Sequence, residues 1–264
     1  MKNERFEGIV LFKRPHREKD NLVKIFTQNH GTKMFFVKGL QKPNHPLVST
    51  TLPMTLNEYI GTINQTGLSF LTEGNSLSLF RSIQEDYLLQ AHASYIIQLV
   101  DASIEDNQNH PQTYDWLKTA LYALDNRMLP DIVTIKMEID LLKNFGVAIN
   151  WHQCRICGSQ EEPFKFSMTR QGVLCQKHWQ EDPYLLPTSP RAIHIVKQLS
   201  QTPIKNIHQV NISQTTLKAI RQLMEEIYSE FVGIKLKSYS YLKKLSAMDA
   251  SMLNLQAKRT NFEK

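Results

Sequence analysis

Residues 5–38 read RFEGIVLFKRPHREKDNLVKIFTQNHGTKMFFVK, and they contain three short runs rich in Val, Ile, Phe and Thr. Turn-forming sequence such as Asn29-His30-Gly31 separates the runs, which is the pattern of β-strands in a hairpin-linked sheet. Two similar runs follow before residue 75. The five predicted strands are 5–12, 22–27, 32–38, 51–60 and 68–73. This rhythm predicts a small barrel or sandwich.

Five strands in about 75 residues fit an OB-type barrel, a fold that binds single-stranded nucleic acid on one sheet face. SH3-like barrels have the same strand count, so the count alone leaves both open. From Ser76 the apolar spacing becomes helical. We therefore predict an α+β protein with an OB-type nucleic-acid-binding domain over residues 1–78, an all-helical domain over 79–247 and a flexible basic tail over 248–264.

Apolar residues at three-to-four spacing predict the helices of the second domain. Three helices are marked by the stretches 83–99, 116–124 and 132–142. A fourth begins at Ser189-Pro190, where Ser is the N-cap and Pro occupies the first turn. The last and longest is predicted from near Ser213 to about Leu245.

All three cysteines of the chain lie within 22 residues, in Cys154-Arg155-Ile156-Cys157 and Cys175-Gln176-Lys177-His178. A two-residue gap lets both side chains of a pair reach one ion, and the seventeen residues between the pairs can form a hairpin. Three Cys and one His complete a tetrahedron, so this spacing predicts one structural Zn²⁺ in a zinc knuckle over residues 152–180.

Other chemistries fit these residues less well. A redox pair would leave Cys175 and His178 without a role, and an odd cysteine count disfavours disulfides. His16-Arg17-Glu18 matches half of a zinc deaminase signature, but it lies more than 130 residues from Cys154. No nucleotide-binding or hydrolase motif is present. We expect no catalytic residues and no enzymatic activity.

The net charge of +6 is concentrated at the two ends of the chain. Residues 1–80 carry a net +4, residues 81–230 a net −3 and residues 231–264 a net +5. This asymmetry points to a polyanionic partner. The predicted DNA-binding residues are Lys13, Arg14, Arg17, Lys19, Lys24, Lys33, Lys38 and Lys42.

Phosphate binding needs these cations on one surface, with aromatic rings available for stacking. Phe12, Phe35 and Phe36 are the candidate rings, although Phe35 and Phe36 can also belong to the core. Strand alternation places Lys33 and Lys38 on opposite faces, so the cations cannot all contribute. For any one of them, ordinary solvation is an equally good reading.

In order and spacing, these features resemble the bacterial DNA repair protein RecO family over about residues 5–235. The residues that carry the resemblance are Gly8-Ile9-Val10-Leu11, Glu18-Lys19-Asp20, Leu22 to Thr27, Gly31, Val37-Lys38-Gly39, and Ile139 to Gly146 followed by Cys154-x2-Cys157. The resemblance implies a member of the RecF pathway that binds single- and double-stranded DNA and anneals complementary strands. It further implies RecR, single-stranded-DNA-binding protein and, indirectly, RecA as partners.

Two departures from the family pattern matter. His178 replaces the commoner fourth cysteine, and the loop Leu40 to His45 is less basic than in many relatives. Both ligand sets hold zinc, and because the site is not universal in the family it implies stability rather than activity. The weaker loop charge counts against this loop as the main DNA contact.

At the C-terminal end, Lys237, Tyr241 and Lys244 share one face if the chain is helical there. They are candidates for binding the acidic tail of single-stranded-DNA-binding protein, although a solvated helix end is the simpler interpretation. The chain shows no signal peptide and no membrane span, so we expect a soluble protein of the bacterial cytoplasm, associated with the nucleoid. Two other functions stay open: a zinc-ribbon regulatory or RNA-binding module without annealing activity, and a structural adaptor.

Overall fold

A computed structural model of the chain describes residues 3–207 and 212–248. The described chain forms two compact units. The first comprises the chain up to Pro130 together with the segment from Lys235 onward, and the second is Asp131–Ile234. The predicted basic tail, apart from Met248, lies outside the described residues. The domain boundary near residue 78 stays a prediction.

Five strands form a closed barrel in the first unit. They are β1 (Glu4–His16), β2 (Asp20–Thr27), β3 (Gly31–Val37), β4 (Leu56–Thr62) and β5 (Ser69–Ser78). The order β1-β2-β3-β5-β4 closes through pairing of β4 with β1, and all neighbours are antiparallel except β3 and β5. This confirms the predicted five-stranded OB-type barrel.

The fourth strand begins at Leu56, five residues later than the sequence pattern predicts. Residues Ser49–Thr51 form a 3₁₀ turn instead, although Thr51 favours strands. The Thr51 hydroxyl donates to the carbonyl of Leu47 at 2.7 Å, a local bond that competes with strand pairing.

The interior of the barrel is apolar and well packed. Phe6, Val23, Phe35 and Tyr59 lie in its centre, each at most 3% exposed. Gly8 is required on β1, because a Cβ there would lie 2.4 Å from Cγ2 of Ile25 on the neighbouring strand. The alternating faces of the strands thus decide which side chains remain outside for function.

Three helices complete the part of the first unit that precedes the second unit. They are α1 (Arg81–Glu85), α2 (Tyr87–Ser103) and α3 (Pro111–Asp125). Asp86 caps α2, its carboxylate accepting from the backbone amides of Leu88 and Leu89. Asp125 accepts from the amide of Ser82 at 2.8 Å and so ties the end of α3 to the start of α1.

The second unit contains helices and one hairpin. Its elements are α4 (Pro130–Leu141), β6 (Phe164–Ser167), β7 (Gly172–Cys175), α5 (Pro190–Gln201) and α6 (Gln214–Ile227). Pro130, the first residue of α4, is counted with the first unit. Ser189 is the N-cap of α5, as predicted, and its hydroxyl accepts from the amide of Ala192.

The predicted single helix from Ser213 to Leu245 is wrong. Helix α6 ends in the π-helical turn Tyr228–Val232, and residues 237–248 form a separate helix, α7, in the first unit. Gly233 adopts a left-handed conformation with φ of +72°, and its amide donates to the carbonyl of Tyr228 at 2.8 Å. A helix commonly stops at such a glycine, even where apolar spacing continues beyond it.

Within residues 3–207 and 212–248, no helix has the length and apolar character needed to cross a bilayer.

Candidate metal centre and nucleic-acid interface

The four predicted metal ligands converge in the second unit. Cys154 and Cys157 lie on a knuckle closed by Gly158, whose amide donates to the Cys154 carbonyl at 2.9 Å. Cys175 ends β7, and His178 lies on the 3₁₀ turn that follows it. The hairpin between them therefore returns the second ligand pair to the first, as the spacing predicts.

The ligand atoms have the separations of a tetrahedral site. They all lie within 4.8 Å of one another. The Cys157 and Cys175 sulfurs are 3.8 Å apart, and Nδ1 of His178 lies 3.3 Å from Cys175 Sγ and 3.6 Å from Cys154 Sγ. Zinc bonds of about 2.3 Å to sulfur and about 2.0–2.1 Å to nitrogen give ligand separations of about 3.5–3.8 Å. The cluster could hold a metal ion.

The hairpin beneath the cluster is fixed by contacts that do not involve the four ligands. The rings of Trp151 and Phe166 lie 5.2 Å apart, and the indole of Trp179 donates to the Leu174 carbonyl at 3.0 Å. Asp182 is buried and accepts from the hydroxyl of Ser167. Burial raises the pKa of Asp182, but hydrogen bonds from Ser167 and neighbouring groups outweigh it and lower the pKa overall.

The surroundings of Cys154 favour its thiolate. Burial opposes ionisation, yet backbone hydrogen bonds from Cys157, Cys175 and Ile156 lower the pKa of Cys154 to about 6. Burial and the neighbouring cysteines raise the pKa of Cys175. Because a metal binds thiolates, amides directed at one sulfur prepare the knuckle for a cation.

Five of the eight predicted DNA-binding residues are exposed near one end of the barrel. They are Arg14, Arg17, Lys19, Lys38 and Lys42, and we call this set the hairpin-end cluster. Arg14 lies on β1, Arg17 and Lys19 in the turn to β2, and Lys38 and Lys42 just after β3. Such a grouping of cations can neutralise several phosphates of one polynucleotide.

Backbone contacts hold the two segments of the hairpin-end cluster together. The amide of Gln41 donates to the carbonyl of Lys19 at 3.1 Å, and the amide of Gly39 donates to the Asp20 carboxylate at 2.7 Å. The Lys42 stem packs over Gly39, where an added Cβ would lie 3.3 Å from Cδ of Lys42. The turn after β1 and the loop after β3 therefore form one surface.

Lys24 does not belong to that surface. Its ammonium lies 2.6 Å from Asp101 and 2.8 Å from Asp106, and its side chain is 11% exposed. Burial lowers the pKa of Lys24, but hydrogen bonds from these two carboxylates outweigh it and raise the pKa overall. A cation neutralised by two carboxylates has little attraction left for phosphate.

Lys33 and Lys13 also differ from the exposed set. Lys33 is buried, its ammonium donates to the carbonyl of Asn64 at 3.0 Å, and burial lowers its pKa. Lys13 is half-buried on the strand face opposite to Arg14. Strand alternation places Lys33 opposite to Lys38 and Lys13 opposite to Arg14, but alternation alone does not show which of the two faces is covered.

The candidate aromatic residues are divided by the barrel wall. Phe35 lies fully inside, whereas Phe36 is half-buried on the outer face. Phe12 is half-buried, with the Lys24 ammonium 6.0 Å from its ring. Sequence analysis missed Phe70 on β5, which is 42% exposed and pairs with Phe36. The sequence places Phe70 in the predicted strand 68–73, but it does not show that this strand lies beside β3, where Phe70 meets Phe36.

Comparison with known proteins finds one family along most of the chain. Family models described as "Recombination protein O N terminal" and "Recombination protein O C terminal" match residues 1–80 and 84–240. The chain belongs to the RecO family. It is 39% identical to DNA repair protein RecO of Enterococcus faecalis over 246 residues, 93% of this chain and 94% of the relative. It is 38% identical to RecO of Levilactobacillus brevis over 247 residues, 94% and 95% of the two chains.

In this RecO-family chain, the candidates for a partner tail lie on α7. Residues 237–248 are helical, so Lys237, Tyr241 and Lys244 fall on one side at spacings of four and three. All three are exposed, whereas Ser238 and Leu242 between them are buried. The chain is thus helical here, as the sequence argument requires, and the binding role stays a prediction.

Proposed function

We propose that this chain is a recombination mediator that binds single- and double-stranded DNA, anneals complementary strands and, with RecR, helps to load RecA at gaps covered by single-stranded-DNA-binding protein. Membership of the RecO family supports a role in DNA repair. We propose that it acts in the bacterial cytoplasm, at the nucleoid. RecR and single-stranded-DNA-binding protein are its proposed direct partners.

The observation that carries the proposal is the hairpin-end cluster. Its five cations are exposed on a surface held by backbone hydrogen bonds, so they are free to meet phosphate without refolding. Contacts to phosphate release counterions and carry little sequence information. A protein that screens two strands in this way can bring complementary sequences together, and the chain carries no nucleotide-binding motif that would couple annealing to ATP.

We propose that the ion of the Cys154, Cys157, Cys175 and His178 cluster is zinc and that its role is structural. The donor set is typical of zinc, and four protein ligands leave no coordination position for a substrate. The ion would join the knuckle to the end of the hairpin. Small loops of this kind make few apolar contacts, so bonds to the ion would stabilise their fold.

The decisive experiment is annealing of complementary single strands coated with single-stranded-DNA-binding protein. Wild-type protein is expected to anneal them without ATP, and Arg14→Glu with Arg17→Glu to lose most of this activity. A matched charge reversal, Arg191→Glu with Lys205→Glu, changes two exposed cations of the second unit and should leave annealing intact. Equal loss in both double variants would show a general charge effect. Binding without annealing by the wild type would instead favour a regulatory nucleic-acid-binding module.

A further inference from the structure

Three aromatic side chains form a row across the outer face of the barrel. The ring of Phe36 on β3 lies 6.0 Å from the His16 ring at 90° and 6.3 Å from the Phe70 ring at 78°. Phe36 is thus the middle member, with edge-to-face contacts on both sides. We call His16, Phe36 and Phe70 the aromatic row.

The aromatic row is accessible, whereas the other end of the same barrel face is covered. Phe70 is 42% exposed, and His16 and Phe36 are half-buried. Further along β2, Lys24 is paired with Asp101 and the Phe26 ring packs against Tyr114 at 5.3 Å, so helices and their loops cover that end. Scattered exposed apolar residues are ordinary, but three ring systems in contact on an open sheet face can serve as a platform for an apolar part of a ligand.

The aromatic row lies within the basic surface of the barrel. Arg14 and Phe36 pair with the same residue, Leu22, from opposite sides, so all three side chains share one face. Lys38 follows Phe36 by two positions and Arg14 precedes His16 by two, so cations flank the rings. The acidic groups nearby are Glu18, which is exposed, and Asp20, whose carboxylate accepts from the amide of Gly39.

We propose that Phe36 and Phe70 stack unpaired bases of single-stranded DNA, with His16 extending the platform and Arg14 and Lys38 holding the adjoining phosphates. Charge complementarity points to a polyanionic ligand, and the accessible aromatic side chains point to contacts with its uncharged bases. Duplex bases are stacked on each other and present no free face. The aromatic row therefore gives the barrel a preference for single strands that the cations alone cannot give.

This inference rests on the proposed function, in which the barrel binds DNA. The two can fail separately because the rings and the cations act on different parts of the ligand. Loss of a ring removes a contact to a base and leaves the phosphate contacts in place. Loss of a cation changes the salt dependence on single strands and duplexes alike.

The experiment measures affinity of the full-length chain for oligothymidylate, for an abasic single strand of equal length and for a duplex. Phe70→Ala is expected to weaken oligothymidylate binding by about five- to a hundredfold, the range for one stacked base. Its affinity for the abasic strand and the duplex should equal that of the wild type, and the salt slope should be unchanged. Phe70→Trp should restore binding and show fluorescence quenching by oligothymidylate.

Two controls keep the result interpretable. Leu77→Ala removes an apolar side chain that is 51% exposed on the same strand and should not alter any affinity. Unchanged thermal melting of Phe70→Ala shows that the barrel remains folded. If both Phe70→Ala and Phe36→Ala bind oligothymidylate with wild-type affinity, the stacking proposal is overturned, even if the Arg14→Glu with Arg17→Glu variant binds DNA weakly. Equal loss on the abasic strand and on oligothymidylate also overturns it.

Discussion

The Lys24 ammonium on β2 lies 2.6 Å from the carboxylate of Asp101 on α2 and 2.8 Å from that of Asp106 in the loop beyond it. Asp106 also accepts from the Thr32 hydroxyl on β3. The three charges join two strands of the barrel to the end of a helix that is far away in sequence. A lysine that looks like a DNA contact in the sequence is therefore a structural group of the first unit.

Removing one partner of this cluster should destabilise the first unit. Asp101→Asn is expected to cost about 2–3 kcal/mol, because it leaves a buried ammonium with one carboxylate, and Asp106→Asn about 1 kcal/mol or less, because Asp106 is 57% exposed. Chemical unfolding measures both values. Asp115→Asn, at an exposed site on α3, is the control and should cost little. Equal costs for the two cluster variants would contradict the burial argument.

The same cluster predicts how stability depends on pH. Burial raises the pKa of Asp106, but hydrogen bonds from Lys24 and Thr32 outweigh it, so the pKa lies below its usual 3.8. A carboxylate whose pKa is lower in the folded state stabilises the protein above its unfolded pKa and loses that contribution as pH falls through the folded pKa. The free-energy difference between wild type and Asp106→Asn should thus be full at pH 7 and shrink below about pH 4. A constant difference over this range would show that charge is not involved.

The metal centre predicts one zinc ion per chain in protein purified under reducing conditions without chelator. Cys157→Ser should lower the zinc content, the melting temperature and the solubility, because three donors hold the ion less tightly than four. His178→Cys keeps four donors and should retain the ion. Metal analysis tests all three proteins. Well under one zinc in the wild type, or full zinc in Cys157→Ser, would contradict the assignment.

Binding at the hairpin-end cluster should depend steeply on salt. Each phosphate contact contributes a log-log slope of about −0.7 on single strands and about −0.9 on duplex DNA. Arg14→Glu with Arg17→Glu should weaken binding to any sequence and make the slope shallower by about one contact for each phosphate lost. Zinc content should be unchanged, since the ligands lie in the other unit. Wild-type affinity and slope in this variant would move the main DNA surface elsewhere.

Helix α7 is predicted to bind the acidic, apolar-ended tail of single-stranded-DNA-binding protein. Lys237→Glu with Lys244→Glu should weaken binding of a tail peptide through charge repulsion while leaving the melting temperature unchanged, because both side chains are exposed. Fluorescence anisotropy of a labelled peptide measures the affinity. Arg191→Glu with Lys205→Glu, two exposed cations of the second unit, is the control for net charge. Unaltered peptide affinity would remove this helix as the tail site.

Local signals made the barrel and the metal centre predictable. Runs of β-favouring residues between turn residues revealed all five strands, and the spacing from Cys154 to His178 predicted the cluster that could hold a metal ion, because both signals depend on residues close in sequence. The burial of Lys24 was not predictable, since its partner Asp101 is 77 positions away. The break at Gly233 was missed for a different reason: the apolar period of α6 continues across it, and a single left-handed residue leaves no periodic trace.

The turn at Gly233 has a consequence for the order in which the protein is built. Helix α7 contacts α2 within the first unit, where the Ser238 hydroxyl donates to Gln98 at 2.8 Å and the rings of Tyr95 and Tyr239 lie 5.1 Å apart. A ribosome extends the chain from its N-terminus, so the whole of Asp131–Ile234 is synthesised before α7. The first unit is therefore begun first and completed last, and the α2 surface beneath α7 stays uncovered by that helix until residues 237–248 have been synthesised.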